Sequence, residues 1–261
     1  MNDRVIWITG ASSGIGEALA LDLAARGARL IVSARRVDKL ESLRERCADP
    51  TRVELLPLDV AETEHAGEHA EDARRAFGRV DVLVHNAGIS QRSLVAETAL
   101  EVDRRIMEVN YFGVVALTKA IYPSMIAQRR GHFVVVSSVT GYVGTPYRSA
   151  YAASKHALHG FFESLRTEGR EQGIDVTMVC PGFVRTDITL SALSGDGSAH
   201  GKHERTNRGG IPPEACAASI RRAIEKPRAE VYVGGKEIAA IYLRRYAPAL
   251  LREVLKRVPT T

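Results

Sequence analysis

The sequence predicts an α/β chain, a doubly wound parallel sheet of about seven strands with helices on both faces, in a single domain over 1–261. Seven short runs of β-branched and aliphatic residues recur, apolar almost without interruption, as strands buried on both faces are. Longer segments with apolar residues at helical spacing separate them. No repeat or low-complexity linker divides the chain, and such alternation places ligands beyond the carboxyl ends of the strands.

Taken in order, "RVIWIT" (4–9) leads through a glycine-rich turn into a helix at 14–26, and "RLIVSA" (29–34) into one at 36–47. "RVELLPL" (52–58) precedes a helix at 62–77, and "DVLVH" (81–85) precedes a long helical stretch at 97–128. "HFVVVSS" (132–138) is followed by a helix at 149–171, then by "IDVTMVC" (174–180). The segment 183–210 has no convincing strand, and of the two usual natures of such an insertion, lid or disordered stretch, a substrate lid over the nicotinamide is expected. A helix at 213–226 and "EVYVGG" (230–235) complete the sheet. The tail 236–261 should be helical, with Pro248 breaking or kinking it.

Composition excludes several classes. Hydrophobic residues at 45% and charged residues at 26% describe a compact soluble protein, not a disordered one. The net charge of +5 is spread along the chain, which argues against a nucleic-acid reader and permits a phosphorylated small molecule. Cys47, Cys180 and Cys216 are odd in number, lack metal-ligand spacing and read as reduced thiols. The start "MNDRVIWITG" leaves no room for a signal peptide, and no window is apolar enough to span a bilayer, so a cytoplasmic location is expected. The histidines form no metal spacing, and His156 and His159 read as helix surface or pocket wall; no metal is expected.

Two stretches carry chemistry. "TGASSGIGEALALDLAARG" places Gly10, Gly14 and Gly16 between a strand and a helix, where small residues let backbone approach a pyrophosphate and the helix N-terminus offers N–H groups to it. "SAYAASKHALHG" places Tyr151 and Lys155 four residues apart, on one helical face. A free phenol has a pKa near 10, and moving it about three units costs about 4 kcal/mol. One positive charge at about 4 Å in an effective dielectric near 20 supplies about that much, so Lys155 is expected to depress the Tyr151 pKa.

The Thr-Gly-x-x-x-Gly-x-Gly pattern, "HNAG" at 85–88, Asn110, Ser138, the Tyr151 and Lys155 pair and "PGFVRT" at 181–186 together resemble the short-chain dehydrogenase/reductase family over about 4–235. That resemblance implies a Rossmann-type fold and hydride transfer between a nicotinamide cofactor and a ketone, aldehyde or alcohol. It implies Tyr151 as general acid and base, and Lys155 holding the nicotinamide ribose. Ser138 would bond the substrate oxygen, and Asn110 would sit at a helix irregularity and anchor a water that links Lys155 to solvent. Ser12, Ser13 and Ile15 would join the three glycines in binding the cofactor, and Asp59 and Val60 would flank the adenine. Asn86, Ala87 and Gly88 would line the adenine-ribose side and tie the fourth strand to its neighbours, although Asn86 is equally readable as a structural hydrogen bonder, and Val109 would also contact the cofactor. Pro181 and Gly182 would shape the turn against the nicotinamide, with Val184 and Thr186 at its carboxamide. Homodimers or homotetramers are implied as well.

The end of the second strand reads "VSARRVDKL". An acidic side chain there would favour a free ribose hydroxyl, whereas Arg35 and Arg36 offer forks for a 2′-phosphate, so NADP(H) is expected. In the insertion, Lys202, His203, Arg205 and Arg208 are either anion-recognising or simply solvated. The basic amphipathic tail could lie on a membrane, close the pocket or meet a second subunit, with a docked helix favoured over the membrane. "PYRSAYAASKHAL", "DGS" and "YLRRYAPAL" resemble the dehydrogenase/reductase member 7B group, which implies a lipid ketone at a membrane as one substrate reading. Two other classes compete with a reductase: a catalytically idle NADP sensor, which a missing Tyr, Lys or Ser would have favoured, and a surface binder with salt-dependent affinity.

Overall fold

The computed structural model describes residues 1, 3–201 and 209–257. Its seven strands are β1 (Val5–Thr9), β2 (Arg29–Ser33), β3 (Val53–Leu55), β4 (Val82–His85), β5 (Gly131–Val136), β6 (Ile174–Pro181) and β7 (Glu230–Val233). All pairs are parallel, in the order β3-β2-β1-β4-β5-β6-β7. The order reverses between β1 and β4, and a crevice opens at such a switch point beyond the carboxyl ends of the strands.

Alternation along the strands sorts the core into two layers. Ile6 and Ile8 of β1 face the side covered by α1 (Gly14–Ala24), α2 (Val37–Arg46) and, beyond the insertion, a helix at Pro213–Glu225. Val5 and Trp7 face the other side, where α3 (Ala66–Phe77), α5 (Gly113–Ala127) and α6 (Ser149–Gly169) pack. Between α3 and α5 lies α4 (Leu100–Met107), and the Pro213–Glu225 helix is α7.

Two departures from the sequence expectation matter for the site. The stretch expected as one helix at 97–128 is α4 and α5 joined by a π turn at Glu108–Phe112, with Pro123 accommodated inside α5. β5 ends at Val136, two residues early, because the Ser137 N–H turns to the carbonyls of Val135 and Val179. Ser137 and Ser138 therefore lie beyond the strand, Ser138 capping the short turn at Val139–Gly141. The tail forms α8 (Ala239–Tyr246) and α9 (Pro248–Leu255), broken at Ala247 where Pro248 was expected to interrupt it.

Three histidines are buried in the sheet and its helical cover. His85 bonds Thr118 at 2.8 Å, His132 bonds Thr177 at 2.9 Å, and His159 bonds Ser137 at 2.9 Å. His159 is thus core, not the surface or pocket wall expected of it. Burial holds His85 down at about 3 and both His132 and His159 at about 4. Each native pKa lies below the unfolded value near 6.5, so the unfolded chain takes up protons that the native chain refuses. Their stabilisation is complete above about pH 6.5 and is lost as pH falls, by about 1.4 kcal/mol per pH unit for each histidine. The urea midpoint should therefore drop steeply from pH 6.5 to pH 4.5, and His85→Asn should flatten that slope by about a third; a midpoint that stays level would contradict the neutral burial of these rings.

Candidate active site

The site begins where β1 meets α1. Gly10 sits at φ 67°, a left-handed conformation that suits glycine. A Cβ on Gly16 would stand 2.4 Å from the Gly10 carbonyl oxygen and 2.5 Å from Asn86 Nδ2. Asn86 donates that amide to the carbonyls of Thr9 (3.1 Å) and Gly10 (3.0 Å), while Thr9 Oγ1 accepts from the N–H groups of Asn86 and Ala87. Asn86 therefore ties the end of β4 to the glycine turn, which is the structural role left open in its reading. Ser13 stands at the N-cap of α1 without a side-chain cap bond among the described residues, which leaves N–H groups of the first turn to an anion. Gly16→Val should cost at least about tenfold in dinucleotide affinity, because backbone and not a flexible side chain must yield; unchanged affinity by fluorescence titration would show that the turn is not the cradle.

Charge gathers at the outer rim of this cradle. Arg36 donates Nη2 to Ser12 Oγ (3.1 Å) and Ser13 Oγ (3.3 Å), swinging its guanidinium over the glycine turn. Arg35 pairs with Asp59 at 3.6 Å, and Arg105 of α4 reaches the same carboxylate oxygen at 3.3 Å. The other Asp59 oxygen accepts from the Ala61 N–H at 3.0 Å. Asp59, expected as an adenine acceptor beside Val60, thus already holds two arginines and its own turn. A cleft of about 220 Å³ continues past Gly14 and Glu17 to Arg46 and Thr186. Thr186 Cγ2 lies 3.0 Å from where a Gly14 Cβ would be, so the exit of β6 and the glycine turn are neighbours.

The four expected catalytic residues converge at the carboxyl end of β5. Ser138 accepts from the Thr140 N–H at 3.1 Å, which fixes its hydroxyl at the start of a short turn. Tyr151 and Lys155 occupy the first two turns of α6, 8% and 5% exposed. Lys155 Nζ donates to the Val136 carbonyl at 2.9 Å and stands 5.7 Å from the centre of the Tyr151 ring. Asn110 lies in the π turn, as a helix irregularity was expected to place it. Its side chain clasps Ile89, accepting from the N–H (2.8 Å) and donating to the carbonyl (2.9 Å), and also donates to Ser154 at 3.0 Å. Gly88 packs between them, 3.1 Å from Asn110 Oδ1 and 3.7 Å from Lys155 Nζ as measured from its missing Cβ. Val109 is buried beside Asn110.

Protonation does not follow the sequence expectation. Burial raises the Tyr151 phenol above its ordinary value, against the pull of the Arg148 guanidinium and then of the Ser138 hydroxyl. Burial also lowers the Lys155 ammonium to about 8. Desolvation of both groups outweighs the attraction expected from the lysine, because a charge in the interior loses its hydration. The influence of Arg148, three residues before Tyr151, is not marked by any motif in the sequence. Only its place on the same helical start as the tyrosine hinted at it.

Pro181 closes β6, and the chain turns at Gly182. Glu237 accepts there from the N–H groups of Phe183 (2.9 Å) and Gly235 (3.0 Å), which locks the segment after Gly182 to the chain after β7. Val184 is buried and bridges Ile211. The insertion as far as residue 201 is a strap, held by bridges from Leu193 to Gln91 and Ala199. Lys202, His203, Arg205 and Arg208 lie outside the described residues. Behind Lys155, one ring nitrogen of His159 and carboxylate oxygens of Glu163 and Glu230 come within 4.8 Å of one another, a grouping that spacing did not reveal. Glu230 there is engaged by the hydroxyls of Tyr142 and Tyr232.

The family model for short chain dehydrogenase matches residues 4–196. The chain belongs to the short-chain dehydrogenase family. Dehydrogenase/reductase SDR family member 7B of Xenopus tropicalis is 42% identical over 258 residues, 96% of this chain and 84% of that protein, in keeping with the resemblance read from the sequence. A family member from Burkholderia phymatum, solved with NAD, superposes with a TM-score of 0.83 at 25% identity, covering 100% of this chain and 97% of that one. One from Burkholderia cenocepacia, solved with NADP, gives 0.80 at 25% identity and 99% of both chains. As a short-chain dehydrogenase the chain belongs to an oxidoreductase family, and the two neighbours were captured with NAD and with NADP. Among its described residues no helix is long and apolar enough to cross a membrane.

Proposed function

We propose that the protein interconverts a ketone or aldehyde and the corresponding alcohol with NADP(H), Tyr151 serving as general acid in reduction and general base in oxidation. The observation that carries this reading is the buried Tyr151 phenol, with Ser138 in hydrogen-bonding reach and Lys155 one turn on, beyond the carboxyl end of β5 and beside the glycine turn. The cofactor, when bound, supplies or accepts the hydride.

The chain's own residues do the rest. Gly10, Gly14, Gly16 and the free N–H groups at the start of α1 hold the pyrophosphate, and Arg35 and Arg36 take the 2′-phosphate. Ser138 donates to the substrate oxygen and steadies charge developing on it. Tyr151 passes its proton to that oxygen, within reach because the first turn of α6 points the phenol at Ser138. Lys155, held on the Val136 carbonyl, replenishes positive charge beside the phenolate as it forms. Asn110 keeps Ile89 and Ser154 in register and so fixes the loop carrying Gly88 against the lysine. The strap at 183–201 covers the substrate side and keeps water from the reacting oxygen.

Titration with NADPH and NADH, followed by NADPH consumption against aliphatic, aromatic and lipid ketones, tests the proposal. Preferential NADPH binding and turnover of a ketone are expected. Equal affinity for NADH would remove the cofactor assignment, and NADPH binding without reduction of any carbonyl would favour the idle sensor.

A further inference from the structure

Gln91 is fully buried, yet the catalytic roles above leave it without one. Its Oε1 accepts from the Ala150 N–H at 2.8 Å and from Ser149 Oγ at 3.4 Å, so a side chain 59 positions away satisfies the first turn of α6. The N-cap position of that helix is occupied by Arg148, a residue type with no side-chain acceptor to offer. The Nε2 end of Gln91, with two hydrogens to give, donates to Thr98 Oγ1 (2.9 Å) and Ser93 Oγ (3.2 Å), with Ser149 Oγ alongside at 3.3 Å. A carboxamide suits this position because it carries an acceptor for the helix and donors for the hydroxyls at once.

The loop that carries Gln91 is also where the strap is fastened. Leu193 donates its N–H to the Ser90 carbonyl at 2.9 Å, and the Arg92 N–H donates to the Leu193 carbonyl at 2.7 Å. Leu193 packs on the cluster of Val102, Ile106 and Ala150, the last of these adjacent to Tyr151. On the far side, the Ser93 N–H reaches the Tyr147 carbonyl, and Tyr147 is held at φ 66° beneath the Arg92 guanidinium, 4.7 Å from its ring centre. A bulky residue keeps such a conformation only where its surroundings over-determine it. One short loop thus grips the strap, the approach to α6 and the first turn of α6.

We propose that Gln91 is a positioning residue for Tyr151, coupling the strap over the substrate side to the first turn of the catalytic helix. This deepens the reductase reading and rests on it for its effect on rate, while its structural content stands apart. Gln91→Met keeps the shape and removes the hydrogen bonds; Gln91→Glu keeps an acceptor for the Ala150 N–H and puts a negative charge where a helix N-terminus favours one.

The test combines site-resolved hydrogen exchange with kinetics on the ketone that the wild-type chain reduces fastest. In Gln91→Met, exchange at residues 150–152 and 192–195 should rise together by about tenfold or more, as local opening is released. kcat should fall about tenfold to a hundredfold with the KM for NADPH unchanged, the scale of a misplacement of about 1 Å. Gln91→Glu should restore protection and most of kcat. Unchanged exchange at 150–152 in Gln91→Met would overturn the coupling, and raised exchange with undiminished kcat would overturn the positioning role. If the wild-type chain reduces no ketone, the reductase reading fails by itself, and exchange at the two segments still decides whether Gln91 couples them.

Discussion

Tyr151→Phe is expected to lower ketone reduction by about a thousandfold while NADPH affinity stays within about twofold, since a positioned general acid contributes about 10²- to 10⁴-fold. The phenol is buried in hydrogen-bonding reach of Ser138, and removing its hydroxyl leaves the ring, the α6 backbone and the glycine turn in place. The stability cost should be small, about 1 kcal/mol for one hydrogen bond. A sharper form concerns pH. Because burial raises the phenol and the Arg148 guanidinium works against that rise, Arg148→Gln should move the ascending limb of the pH profile of alcohol oxidation to higher pH, the base being harder to deprotonate. A Phe variant that still turns over at a tenth of the wild-type rate would assign the proton to another group.

Arg36→Ala is expected to weaken NADPH binding by about tenfold to a hundredfold and to leave NADH binding almost unchanged. A charge-assisted hydrogen bond contributes about 1.5 to 3 kcal/mol, and about 1.4 kcal/mol is tenfold in affinity. Arg36 is anchored on Ser12 and Ser13 at the mouth of the cradle, so its fork is already held where an anion would meet it. Arg35 shares Asp59 with Arg105, and that pairing offsets part of its attraction for phosphate. The loss should therefore be larger for Arg36 than for Arg35, read by fluorescence titration of both variants with both dinucleotides. Parallel loss of NADH affinity would mean that Arg36 supports the turn itself and selects nothing.

The sequence by itself determined the layers of this protein and the local parts of its site. Val5, Ile6, Trp7 and Ile8 are apolar on both faces of one strand, and that pattern requires a buried parallel sheet whatever the rest of the chain does. The glycine turn and the spacing of Tyr151 and Lys155 are equally legible, because a turn and one helical face are set within a few residues. What only the tertiary structure decided is the balance of forces at those residues. Whether the Tyr151 phenol is pushed up by burial or pulled down by a cation depends on how much water the packed strands and helices exclude, a quantity that no short stretch contains. The partners of Asp59, Asn110, His159 and Gln91 come from elements tens of residues away, brought together by sheet order and helix packing. Local pattern is written in neighbouring residues, whereas desolvation and long-range hydrogen bonds exist only once the layers close.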